Sequence, residues 1–219
     1  MICLETPRLL LRDWRESDIE PFARMNADEE VMRYFIKALT YEETVKFYEV
    51  IQAEFQECGY GLYAVETKED GEFIGFIGFH RATFEADFTP CTEIGWRLRK
   101  ESWGRGYATE GASACLRHGF QTLGLDKVYS FTADVNTPSK RVMAKIGMHF
   151  VKYFDHPRVA KDSPLCKHVL YAITPGDVPN MKKGDPAEQI DVQIDAASTE
   201  SSIVSMPRDK QRQGEQSLL

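Results

Sequence analysis

The sequence predicts an α/β fold of the α+β type, with strands and helices interleaved along the chain. Three observations carry that expectation. Seven short apolar segments bounded by turn residues read as strands, at 8–14, 60–66, 73–80, 92–99, 128–133, 149–154 and 167–172. Capping signals of the form Ser/Thr-x-x-Glu stand among the early ones, at Ser17 and Thr40. A glycine turn, Trp103-Gly104-Arg105-Gly106, leaves one strand and opens a helix.

Each element has a local reason. After strand 8–14, Ser17-Asp18-Ile19-Glu20 forms a capping box with Pro21 just inside the helix, and Phe22 and Met25 follow at helical spacing. The box from Thr40 to Glu43 opens a longer helix with Val45, Tyr48, Ile51 and Phe55 on one face, and Gly59 stops it. Strands 60–66 and 73–80 are joined through Asp70-Gly71, a tight hairpin signal. Strand 92–99 delivers the chain to the glycine turn and to a helix over 112–120. After strand 128–133, Asn136-Thr137-Pro138-Ser139 reads as a loop entering a helix that Gly147 ends. Strands 149–154 and 167–172 close the order β-α-α-β-β-β-α-β-α-β-β.

The turn at 103–111 points to a phosphorylated ligand. A glycine turn at a helix N-terminus presents several backbone N–H groups, with the positive end of the helix dipole behind them. Gly104 and Gly106 let the backbone approach closely, and Arg105 adds a charge-assisted partner. Two other phosphate loops fail on a necessary residue. A Walker-type loop needs Lys where Ala112 stands, and a dinucleotide fingerprint needs a third glycine where Thr109 stands.

The frame Glu101-Ser102-Trp103-Gly104-Arg105-Gly106 resembles the acyl-CoA diphosphate turn of the GNAT superfamily of N-acetyltransferases. The nearest likeness is to the branch that includes the ribosomal-protein alanine N-acetyltransferases (RimJ/RimL-like). Glu101 departs from the family's Gln or Arg, and an acidic side chain beside phosphates is tolerable only if it faces solvent. A second motif, Asn136-x-x-Ser139 before a short helix ending at Gly147, matches another signature of the family in the correct order. The resemblance covers about residues 5 to 174. It implies a mixed, mostly antiparallel sheet of about seven strands with helices on both faces, acetyl-CoA as acyl donor, and no metal. Trp103, Gly104, Arg105, Gly106, Tyr107, Ala108 and Thr109 would hold the diphosphate. The backbone beside Trp96, Arg97 and Leu98 would pair with the pantetheine arm, and an N–H there would face the oxyanion. Asn136 would bond the arm or a water and Ser139 would lie near the sulfur, with Lys140, Arg141 or Lys145 meeting the adenosine phosphates.

Acetyl transfer to an amine requires loss of a proton, since an α-amino group has a pKa of about 7.7–8.0 and a lysine about 10.4. Glu93, entering the site on strand 92–99, is the expected base; its alternative is a strand-end salt bridge. Glu110, in the first helical turn, suits a structural role at the dipole. Where many relatives carry a tyrosine as general acid this chain has Met143, and the branch's substitute points to Ser139. His156 and His168 are base candidates that read first as hydrogen-bonded structural histidines, and Cys115 with His118 makes a weak nucleophile pair. The acceptor implied is a protein N-terminus or a small-molecule amine, in a pocket shaped by 29–40 and 84–90. Many relatives of the branch dimerise, which leaves a homodimer open, while the sequence itself does not set the oligomeric state. The competing reading is a non-catalytic acyl-CoA-binding or sensory module.

Composition bounds the rest. The net charge of −7 argues against nonspecific nucleic-acid binding. No apolar run of about eighteen residues is present to span a bilayer, and residues 1–8 lack the layout of a secretory signal. Five scattered cysteines without a C-x-x-C pair imply neither a zinc site nor a disulfide framework, and fit a reducing cytoplasm. Residues 1–175 are expected to form the catalytic domain. Residues 176–219, polar and without an aromatic residue, are expected to form a disordered tail, with a docking peptide at 190–194 as the alternative.

Overall fold

Eight strands form one sheet in the order β1-β2-β3-β4-β5-β6-β8-β7 in the computed structural model of the chain, which describes residues 1–178. They are β1 (Ile2–Glu5), β2 (Leu9–Arg12), β3 (Leu62–Thr67), β4 (Phe73–Ala82), β5 (Cys91–Leu98), β6 (Val128–Ala133), β7 (His149–Asp155) and β8 (Lys167–Ile173). The helices are α1 (Ile19–Ala27), α2 (Glu29–Met32), α3 (Tyr41–Cys58), α4 (Tyr107–Gln121) and α5 (Thr137–Lys145). The mixed α/β class is as expected; the strand count is eight instead of seven. The added strand, β1, has four residues and buries only Leu4, too little for a period of two to show in sequence. Of the tail expected at 176–219, residues 179–219, with the 190–194 segment, lie outside the described residues. Short of that limit, Pro175–Asp177 makes one 3-10 turn and Val178 packs into the core.

Local chemistry sets the helix ends. Thr40 and Glu43 exchange the hydrogen bonds of a capping box at 3.2 and 2.9 Å, and Gly59 ends α3 in the left-handed region. The box expected at Ser17 does not form. Asp18 accepts from the Arg15 backbone N–H at 2.8 Å at the head of the 3-10 turn Glu16–Asp18, its carboxylate is also gripped by buried Arg12 at 2.7 and 2.9 Å, and it makes no side-chain cap to α1. Arg12 reaches Glu66 as well, at 2.8 Å, and so ties β2 to both α1 and β3. On α3 the core face is Thr44, Phe47 and Ile51, with Phe47 in the central place expected of Val45.

The sheet carries an apolar layer on each face. One contains Leu9, Leu11, Ile77, Ile94 and Leu98 under Ala112, Cys115 and Leu116 of α4. The other contains Trp14, Phe22, Phe47, Ile51 and Phe76 under α1 and α3. Burial of each such Phe contributes roughly 1.5–3 kcal/mol. Alternation along β5 sends Ile94 and Leu98 to the α4 layer and leaves Glu93, Gly95 and Arg97 on the opposite face. Every neighbouring strand pair is antiparallel except β5 and β6, which run parallel and meet at one registered pair, Glu93 with Tyr129. Beyond that pair the two strands part, and a cavity opens between them.

The contact of β4 with β5 is close enough to forbid a side chain at Gly75, where φ is +135° and a Cβ would lie 2.1 Å from the Arg97 carbonyl oxygen. Gly75→Ala is expected to lower unfolding free energy by about 3 kcal/mol or more, measured by urea denaturation against wild type.

Candidate active site

The cavity, about 560 Å³, is floored by Glu93, Gly95, Trp96, Arg97 and Leu98 of β5 with Phe76 of β4. Residues 30–31 and 33–36 form one wall, and Ser130 to Ala133 of β6 with His156, Val159, Leu165 and His168 form the other. Its mouth lies between the turn at 102–109 and the start of α5, where Asn136, Pro138, Ser139, Arg141 and Lys145 face it.

The turn has the geometry of a cradle. Gly104 and Gly106 take φ of +72° and +82°, and a Cβ at Gly104 would project into open space. The first helical bond of α4 runs from the Glu110 N–H to the Gly106 carbonyl, so the amides before Glu110 are not spent inside the helix. Trp103 fastens the turn to the strand before it through its indole N–H, which donates to the Leu98 carbonyl at 2.8 Å. Trp96, Leu98, Trp103, Gly104, Gly106, Tyr107, Ala108 and Thr109 all line the cavity. Arg105 does not; it is exposed, and its carbonyl accepts from Arg8 Nη1 at 2.8 Å. Glu101 is exposed as well, which removes the conflict of an acidic residue beside phosphates.

Asn136 caps α5. Its Oδ1 accepts from the Ser139 N–H at 3.2 Å, and its Nδ2 donates to Thr132 Oγ1 at 2.9 Å. The amide thus fixes the first turn of α5 and places Ser139 on the cavity wall. Lys140 pairs with Asp134 at 2.9 Å, leaving Arg141 and Lys145 at the mouth. Met143 is fully buried in the core and away from the cavity wall.

Glu93 is 7% exposed, and its Oε2 has no hydrogen-bond partner. Burial pushes this carboxyl well above the usual range, the nearby Glu54 charge adds to the rise, and the Phe131 backbone N–H opposes it. Glu54 is itself engaged by His80 Nδ1 at 2.8 Å. Two residues beyond Gly95, Arg97 is buried over the Phe35 ring at 4.1 Å, its Nη1 donating to Asn26 Oδ1 at 2.7 Å. Burial lowers the Arg97 guanidinium to about 9.

The far wall carries two histidines with rings 4.9 Å apart. His156 Nδ1 accepts from the Arg158 N–H at 3.3 Å, so its proton sits on Nε2. His168 Nδ1 faces the Cys166 carbonyl at 3.1 Å, so its proton sits on Nδ1. Burial, His168 and Arg158 bring His156 down to about 4, and burial also lowers His168. The loop at 84–90, expected to shape the pocket, braces this wall from behind: Phe84 packs on His156 at 4.6 Å and on Phe131 at 5.4 Å, and the loop does not line the cavity. Cys115 is buried in the α4 layer with its thiol pushed up, which removes it as a nucleophile. Sequence reading named Arg97 only for its backbone and missed Phe35, one member of the expected 29–40 wall, and Arg8. A buried arginine inside a strand and a contact across a hundred residues leave no local pattern.

The cavity has a glycine turn at one end and a buried carboxyl at the other, on a fold that a known family of acyltransferases shares. The chain belongs to the GNAT acetyltransferase family, whose domain description, Acetyltransferase (GNAT) domain, matches residues 8–149. It is similar to the uncharacterized N-acetyltransferase YoaA of Bacillus subtilis strain 168, 31% identical over 146 residues, which are 66% of this chain and 81% of that protein. It also resembles the crystal structure of a GNAT-family acetyltransferase from Bacillus anthracis, at 29% identity and a TM-score of 0.66, covering 80% of this chain and 98% of that one. Mycobacterium smegmatis RimJ, solved in complex with CoA-disulfide, shares the fold at 22% identity and a TM-score of 0.64, over 79% of this chain and 85% of that one. The chain is therefore an N-acetyltransferase with acetyl-CoA as its acyl donor. Among the described residues no helix is long and apolar enough to cross a membrane, and no group of three or more His, Cys, Asp or Glu could hold a metal ion.

The raised carboxyl has a stability signature. A folded state that holds the Glu93 proton more tightly than the unfolded chain loses stability as pH climbs from the unfolded value near 4.5 through the raised one. Glu93→Gln removes that loss. Its stability relative to wild type should therefore increase with pH across this window, as measured by urea unfolding in parallel buffers from pH 4.5 upward; a difference independent of pH would contradict the assignment.

Proposed function

We propose that this N-acetyltransferase acetylates a primary amine, either a peptide N-terminus or a small-molecule amine, by direct attack of the amine on the thioester. The observation that carries the reading is the unpartnered Oε2 of buried Glu93, lodged in the same cavity as the phosphate turn. Acetyl-CoA supplies the activated acyl carbonyl. The entering ammonium must lose a proton, and a carboxyl raised toward neutrality is a stronger base than an exposed one. Glu93 takes that role. His156 and His168, held neutral at pH 7, place no positive charge beside the ammonium.

The remaining roles follow from position. The turn from Trp103 to Thr109 receives the diphosphate, the Trp96 and Leu98 backbone pairs with the pantetheine arm, and Arg141 meets the phosphates at the mouth. Asn136 holds the first turn of α5, and Ser139 supplies a proton to the departing thiolate. The amine enters between residues 33–36 and the histidine wall. Cys3, Cys58, Cys91, Cys115 and Cys166 are all free, which supports a reducing cytoplasm as the place of action. A homodimer is proposed from the resemblance to the RimJ/RimL-like branch.

Thiol release from acetyl-CoA against a panel of amines and N-terminal peptides, with mass spectrometry of the products, tests the reading directly. An acetylated amine is expected; saturable CoA binding without product from any of them would defeat it. Glu93→Gln should lower kcat by on the order of 100-fold or more while leaving CoA affinity in place. Gly104→Glu should abolish CoA binding in a folded protein, because its side chain fills the cradle with negative charge.

A further inference from the structure

Arg8 lies outside the cavity, between β1 and β2, yet it meets the phosphate turn from behind at several points. Its Nη1 donates to the Arg105 carbonyl at 2.8 Å, and its guanidinium covers the Tyr107 ring at 4.8 Å. Its Nη2 sits 3.4 Å from where a Cβ on Gly106 would be. Nε donates to Glu110 Oε2 at 2.7 Å, and the Arg8 backbone N–H donates to Glu110 Oε1 at 3.0 Å. Thr6 Oγ1 adds a third donor to that carboxylate at 2.7 Å.

Two consequences follow for the turn. A trans peptide points its C=O and its N–H in opposite directions. Drawing the Arg105 carbonyl back to Arg8 turns the Gly106 N–H away from Arg8, toward the cavity that Gly106 lines. The second consequence is electrostatic. A bare carboxylate in the first turn of α4 would oppose an anion bound at the same helix end, and Arg8 with Thr6 occupies both oxygens of Glu110. Burial would raise the Glu110 carboxyl, but the hydrogen bonds from Thr6 and Arg8 prevail and hold it below the usual range.

We propose that Arg8 is a positioning residue for the diphosphate: it sets the Arg105–Gly106 peptide with its amide toward the ligand and masks the charge of Glu110. The proposal rests on the reading of residues 103–109 as the diphosphate cradle. Its mark is selectivity among ligands. Removing Arg8 should weaken ligands that carry the diphosphate and spare one that lacks it.

Fluorescence of Trp96 and Trp103, which line the cavity, can follow titration of the full-length protein with CoA, 3′-dephospho-CoA and pantetheine. Arg8→Ala is expected to raise Kd for CoA and dephospho-CoA by about tenfold or more, the scale of one lost charge-assisted hydrogen bond, with the pantetheine Kd unchanged. Adding Glu110→Gln to Arg8→Ala should recover part of the loss, because the unmasked charge is gone; a purely structural role predicts no recovery. Arg8→Lys keeps the charge but lacks the fork that serves Arg105 and Glu110 together, so it should fall between the two and serves if the alanine variant does not fold. Equal weakening of pantetheine, or unchanged CoA affinity in either variant, would overturn the proposal. A wild-type protein that binds CoA no more tightly than pantetheine would instead overturn the cradle itself.

Discussion

A sheet that is antiparallel everywhere else contains one parallel pair, β5 and β6, and those two strands touch at a single registered position. That constraint creates the site. A pair registered along its full length would have closed the ladder beside β5 and left no gap. The parallel pair holds at Glu93 and Tyr129, then opens over the stretch where Trp96, Arg97 and Leu98 follow. The cavity is thus a property of the divergence of β5 from β6 before it is a property of any side chain, and Glu93 lies where the strands last meet.

Placing a carboxyl at such a point has an electrostatic cost. Glu93 shares its face of β5 with Arg97, and Gly95 stands between them. Arg97 donates to Asn26 and lies over the Phe35 ring, where it anchors the wall that follows α2. The opposite wall is built of neutral histidines and phenylalanines. Burial, with the Glu54 charge, therefore leaves the carboxyl with a raised proton affinity.

Much of this was legible in sequence where the signal is local. The Asp70-Gly71 hairpin, the Thr40 box and the strand–glycine turn–helix at Gly104 and Gly106 each rest on contacts within a few residues, and each stands as read. What escaped depends on distant partners. The box expected at Ser17 does not form, and the Asp18 carboxylate is held by distant Arg12 and by the Arg15 N–H. Phe47 took the core position of Val45 because the α1–α3 layer needs an aromatic ring against Phe22 and Phe76. β1 is too short to show a period. The candidate residues at 93, 96, 98, 136 and 139 were reached through motif spacing, whereas the histidine wall and the Phe35–Arg97 contact come from loops and a strand face with no periodic signature.

The anchoring of the glycine turn by Thr6 and Arg8 also bears on how the chain acquires its shape. Glu110 and its partners are separated by 104 and 102 residues, so their meeting is a contact of high order that forms late compared with the α3 helix or the β3–β4 hairpin. During synthesis the first strands must wait, exposed at one edge, until α4 has emerged. Any ligand that requires the finished turn binds only the completed fold, and by mass action it stabilises the oldest and the middle segments of the chain at once.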